Sequence, residues 1–190
     1  MEFHNATALD GERLRRLFLQ HTHPYDHGAL RVFVRYSRGA DFSGSCYYRK
    51  ARLFVNVGRH VRFPYALGTH IARATSNRTH WWREMYRLTI GDAYQLALFV
   101  YLHELYHYLV KSAGRSPRLK EARCDRFAAR TLVEHFGCQV TDRFGRTVPR
   151  ERWDFQDLDG FVARAPLRVG ARKIGAAGRQ IPVRVLGRDS

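Results

Sequence analysis

Lysine is scarce in this chain. Of 33 cationic residues only Lys50, Lys111, Lys120 and Lys173 are lysine, and the rest are arginine. The guanidinium is a planar fork suited to bidentate contact with phosphate or carboxylate, although codon bias also accumulates it without function. Cysteine is scarce too. The three residues Cys46, Cys124 and Cys138 are odd in number and widely spaced. That argues against a disulfide framework, and the lack of a C-x-x-C pair excludes a zinc ribbon. They are expected as small buried apolar residues. Long apolar runs are absent as well. The densest, Leu96–Val110, is interrupted by His103, Glu104 and His107, and no run reaches the ~20 residues of a membrane helix. The N-terminal MEFHNATALDGERLRR lacks the charged-then-apolar order of a secretory signal, so a cytoplasmic protein without a membrane partner is expected.

Acid is also in short supply. With 17 acidic residues against 33 basic ones the formal charge is +16. Such an excess favours polyanions, so nucleic acid is an expected partner, with general solubility as the alternative. Apolar residues make up 45% of the 190 positions, enough for a real core. The expected division is a domain over 1–138 and a basic, Arg/Gly-rich extension over 139–190 that could pack on it.

Leu9–Gln20 reads as an amphipathic helix with Leu14, Leu17 and Phe18 as its stripe. His21, His23 and His27 follow in HTHPYDH, where Pro24 predicts a turn. Nothing in that turn fixes a metal geometry for the three rings. Leu30–Tyr36 alternates as a strand. After the turn-rich SRGADFSGS, Cys46–Val57 reads as a strand or a hairpin turning near Arg49–Lys50. Positions 60–90 show no clean period, which predicts a binding loop, a lid or an undetected helix. From Asp92 the pattern is helical, with Thr89 or Asp92 able to cap its start, up to a stop at Gly114. A second helix is predicted with Ser116 as cap and Pro117 as its first residue, ending at Gly137. Its inner face is expected to be Leu119, Ala122, Phe127, Ala128, Leu132 and Val133. Beyond it, Phe161–Val169 and Ile181–Leu186 read as short strands.

The first of these helices contains YLHELYHYLV. Residues four apart share a helix face, so His103 and His107 can reach one ion. Glu104, beside the first of them, is placed to take a proton from a metal-activated water. Ten histidines raise the odds of an accidental H-E-x-x-H. The helical context and the helix that follows both argue against accident. A catalytic zinc usually has three protein ligands, and no histidine occurs in residues 108–120. Glu121 is therefore the candidate third ligand, brought close when two tightly joined helices pack antiparallel. Asp125 lies on Glu121's face and is the candidate to support a ligand histidine through its second nitrogen. Cys124, Glu134 and His135 are the rivals to Glu121.

HELYH followed by EARCD resembles the gluzincin metallopeptidases. EARCDRFAARTL is similar to the second helix of ImmA/IrrE-like peptidases, and the small size resembles minigluzincins and SprT-like domains. The resemblance covers residues 101–136, and it departs from SprT-like proteins in placing Glu121 where those have a histidine. It implies an α+β, zincin-like fold, with a small mixed sheet on a metal helix and a glutamate helix. It implies a Zn2+ cofactor and endopeptidase activity on a peptide or protein substrate. In such a fold the strand beside the cleft pairs with the substrate backbone; Leu53–Val57 is the candidate. Two alternatives stand beside this expectation. One is a SprT-like protease acting on DNA-bound proteins. The other is a zinc-braced module that binds nucleic acid or a partner without turnover.

Overall fold

A computed structural model of the chain describes residues 1–163. It is a mixed α+β arrangement. Strand β1 (Glu2–Asn5) leads into helix α1 (Gly11–Gln20), whose first turn is capped by the Asp10 carboxylate accepting from the backbone N–H groups of Glu12 and Arg13. Strands β2 (Arg31–Tyr36), β3 (Phe42–Tyr47) and β4 (Arg52–Val57) complete a four-stranded sheet in the order β1-β2-β4-β3. The first three pair in parallel and β3 is antiparallel to β4. The predicted hairpin exists, with a one-turn helix at Tyr48–Lys50 as its bend. Its first arm starts at Phe42, inside the stretch expected to be a turn.

The period of two sorts the sheet's faces. Val32, Val34, Leu53, Val55 and Val57 point inward and are buried. On the outer face His4, Phe33, Phe54 and Tyr47 form a row of ring contacts across the four strands. The inner face is covered by helix α2 (Ala93–Ser112), capped by Asp92, which packs on β3 and β4 and against α1. Phe18 of α1 stacks on Tyr101 of α2 at 4.1 Å.

The stretch over 60–90 is neither a loop nor a helix. It holds β5 (Tyr65–Thr69), an exposed hairpin of β6 (Ala74–Ser76) and β7 (Trp81–Arg83), and β8 (Tyr86–Ile90). The strands β5 and β8 are only five residues each, and the inserted hairpin between them is exposed almost throughout, which breaks the period.

Helix α3 (Glu121–Phe136) begins later than the sequence suggests. Ser116 and Pro117 lie in the connection, and Leu119 adopts a left-handed φ of 56° that no continuing helix tolerates. Leu119 is 96% exposed and takes no part in the inner face, which is built on Cys124, Phe127, Ala128 and Leu132. Gly137 ends α3 in the left-handed conformation, as expected of a helix-terminating glycine.

Over residues 139–163 the chain stays on the same core. Strand β9 (Val140–Thr141) pairs with β8, Trp153 and Leu158 are buried, and the Tyr106 hydroxyl donates to the Leu158 carbonyl at 2.9 Å. Phe161, expected to open a strand, lies instead in the short helix α4 (Leu158–Val162). Val162 lies in that helix too, while residues 164–169 of that predicted strand, and the one at Ile181–Leu186, fall outside the described residues.

Candidate metal centre

Helix α2 presents His103, Glu104 and His107 toward β3 and α3. The ring Nε2 of His103 lies 3.1 Å from Glu121 Oε2, and that of His107 lies 3.3 Å from Glu121 Oε1. The Glu121 carboxylate thus bridges both imidazoles from the first residue of α3. Bonds of 2.0–2.1 Å in a tetrahedral site put neighbouring ligand atoms about 3.3 Å apart. Each Glu121 oxygen stands at about that distance from one imidazole nitrogen, so the carboxylate is placed to join the two histidines as a third ligand.

Asp125 sits one turn further along α3. Its Oδ1 accepts from His103 Nδ1 at 2.8 Å, and its Oδ2 accepts from the backbone N–H of His70 at 2.7 Å, with the His70 ring at 3.2 Å. That fixes the His103 ring with Nε2 facing Glu121. His107 differs. Its Nδ1 is buried without a hydrogen-bond partner, a cost of about 1–3 kcal/mol. Ligating histidines usually donate that second nitrogen, so His107 lacks the support that Asp125 gives His103.

The rivals separate on geometry and charge. Ligating atoms of His103, His107 and Cys124 lie within 4.8 Å of one another, so Cys124 is close enough to compete. Burial and the nearby carboxylates of Glu121, Asp125 and Glu104 push its thiol far up in the metal-free site, so an ion would have to displace that proton before the sulfur could bind. Glu121 has the opposite character. Hydrogen bonds from His103 and His107 hold its carboxyl well below the usual range. Glu134 is paired with Arg150 at 2.5 Å, and the His135 ring faces His21 at 4.6 Å. Neither approaches the histidine pair. The HTHPYDH histidines do not converge: His27 Nε2 lies 2.8 Å from the Thr22 hydroxyl, while His21 faces His135.

Glu104 is 9% exposed. Burial raises its carboxyl pKa, against the pull of His103 and His107. A carboxylate moved toward neutrality is a better proton acceptor than a solvated one. Two residues that sequence reasoning missed shape its surroundings. Gly44 of β3 lies against it, and a Cβ there would come within 2.5 Å of Glu104 Cγ. An isolated glycine in a strand marks close approach of this kind, and F-S-G-S-C carried that signal. Tyr48, in the hairpin bend, lines the same groove as Glu104 and His107. Burial, with the nearby Cys46 and Glu104, pushes its phenol up to about 12, so it remains a hydrogen-bond donor at neutral pH. Nothing in the local sequence distinguishes it from the chain's other tyrosines.

The strand beside this groove is β3. Among the described residues it stands at the sheet's edge with one neighbour. Leu53–Val57, the sequence candidate, is paired on both sides, with β2 and β3. It has no free backbone edge to offer.

Comparison with protein-family models, with curated proteins and with solved structures finds no match. No described helix is long and apolar enough to cross a membrane. The chemistry of the site therefore rests on its own geometry.

Proposed function

We propose that this chain is a zinc-dependent endopeptidase with a zincin-like arrangement of the gluzincin kind. One observation carries the reading: both Nε2 atoms of an H-E-x-x-H helix meet a single carboxylate, from Glu121, while Glu104 is buried beside them. His103, His107 and Glu121 would hold the ion, and Asp125 would orient His103. Bound there, zinc would polarise a substrate carbonyl and acidify water. Glu104 takes the proton of the attacking water and returns it to the leaving amine. The Tyr48 hydroxyl donates to the oxygen on which charge develops. The free edge of β3 supplies backbone partners to an extended substrate.

Zinc content and cleavage of an unfolded protein test this together. Wild type should hold one zinc and cleave. His103→Ala and Glu121→Ala should lose the metal. Glu104→Gln should keep the metal and lose cleavage by a factor of about 10² or more. A wild type that takes up no zinc, or a Glu104→Gln that cleaves normally, sinks the reading.

A second reading has its own observation. The β6–β7 hairpin exposes Trp81 (73%) and Trp82 (50%) beside Arg73, Arg78 and Arg83. Exposed rings among arginines suit stacking on single-stranded nucleic acid, which would place the protease on DNA. Binding of oligo-dT that weakens with salt and with Trp81→Ala supports it; binding indifferent to both removes it.

A further inference from the structure

The groove beside the candidate metal centre has a volume near 740 Å³ and is lined on one side by cations. Lys111 follows His107 by four residues, so it lies on the same stripe of α2 one turn further on. The connection to α3 then brings Arg115 and Arg118 to the same groove. None of the three makes an ion pair among the described residues. Acidic partners are spent elsewhere, in Arg130–Asp159, Arg146–Asp142 and Arg150 with Glu134 and Asp154. Arg115 is steadied from behind, with its guanidinium 4.6 Å from the centre of the Phe161 ring.

The geometry points to a substrate class for this groove: protein segments carrying Asp or Glu about two residues from the bond to be cleaved. The inference rests on the groove's reading as a peptide-hydrolysing site. Four residues of helix advance about 6 Å, and two residues of extended peptide advance about 6.6 Å. For a substrate that runs along α2 from a carbonyl beside His107, the second neighbour comes opposite Lys111. A carboxylate there can accept from Lys111 and take a bidentate contact from Arg115 or Arg118. Glu121, in the same groove, is engaged by both histidines, and Glu104 forms no ion pair with the three cations, so they are left for the substrate.

The test uses the zinc-loaded full chain. Matched peptides place Glu, Ala or Lys two residues from the cleaved bond. Wild type should favour Glu over Ala by about tenfold in kcat/KM at low salt, and the preference should shrink as salt rises. Lys111→Glu, alone and with Arg115→Glu and Arg118→Glu, should turn the preference toward Lys. Binding of labelled peptides to Glu104→Gln separates the two readings. Tighter binding of the Glu peptide without turnover in wild type keeps the groove assignment and removes the peptidase. Turnover without preference, unchanged by Lys111→Glu, keeps the peptidase and overturns the groove assignment. Displacement of the Glu peptide by oligo-dT, lost in the triple variant, also overturns it by giving the cations to nucleic acid. If the triple variant fails to fold, the salt series on wild type and Lys111→Glu still decides.

Discussion

At the residue scale, the centre is governed by His103. Burial alone would pull its imidazolium down, but hydrogen bonds with Asp125 and Glu121 carry it up to about 10. Without metal, the ring holds a proton at neutral pH that an incoming ion must displace. Zinc affinity should therefore rise roughly tenfold per unit between about pH 7 and 9, with one proton released per ion. Titration calorimetry in buffers of different ionisation enthalpy reads that proton, and a flat affinity would contradict it. The linked stability of the metal-free fold has the same origin. Because the His103 value is raised, its contribution is complete below its usual value of 6.5 and is lost as pH rises through about 10. Burial would raise Asp125, but hydrogen bonds from His103 and His70 outweigh it and hold the carboxyl at about 2. That contribution is present above its usual value of 3.8 and disappears as pH falls through about 2. Tyr48→Phe removes a donor from the groove without removing volume. It should lower kcat by about tenfold to a hundredfold with KM little changed, since the hydroxyl acts on charge that develops only in the transition state.

At the scale of elements, the contact between β3 and α2 decides whether the general base is in place. Gly44 leaves room for the Glu104 side chain, which a Cβ would strike at Cγ and Cδ, at 2.5 and 2.8 Å. Those atoms belong to a flexible side chain rather than to backbone, so Gly44→Ala should fold with a melting temperature within a few degrees of wild type. It should nevertheless lose most of its turnover, because the displaced carboxylate no longer faces the histidine pair. Thermal unfolding alongside kcat separates the two effects; full activity in Gly44→Ala would show that Glu104 needs no such fit. Much of this arrangement was legible in the sequence. The i, i+4 histidines, the Asp92 cap and the Glu121–Asp125 spacing are local, and helical geometry turns them into a shared face without help from the rest of the chain. The start of α3 was not legible. Ser116-Pro117 is a good helix-starting pair by local preference, but the connection must bridge two antiparallel helices, and the left-handed Leu119 redirects the chain just before Glu121.

At the scale of the whole molecule, the site depends on segments far away in sequence. Arg126, buried in α3, donates to the carbonyls of Ile71 at 2.7 Å and Ala72 at 2.9 Å, and to Gln156. It ties the base of the β6–β7 hairpin and the segment after β9 to the helix that carries Glu121. Removing a buried guanidinium would leave those acceptors unpaired, so Arg126→Ala should cost about 3 kcal/mol or more. Denaturant unfolding measures it, and a loss under about 1 kcal/mol would mean the clamp is redundant. Trp153, 1% exposed, tests the same dependence from the C-terminal side. Its replacement by alanine should cost about 3–5 kcal/mol through the cavity it leaves.

The sequence by itself determined the parts whose physics is local: the helical patterns of α1 and α2, the capped start of α2, the glycine stop of α3 and the facing of His103 and His107. Tertiary structure decided what depends on distant partners. It placed β3 rather than Leu53–Val57 at the free edge, because strand order follows from which neighbours complete the backbone hydrogen bonds and not from the alternation within a strand. It set Gly44 and Tyr48 against Glu104, and His70 behind Asp125. It also folded residues 139–163 onto the core, where Trp153 and Leu158 exchange water for packed side chains that no local window of sequence reveals.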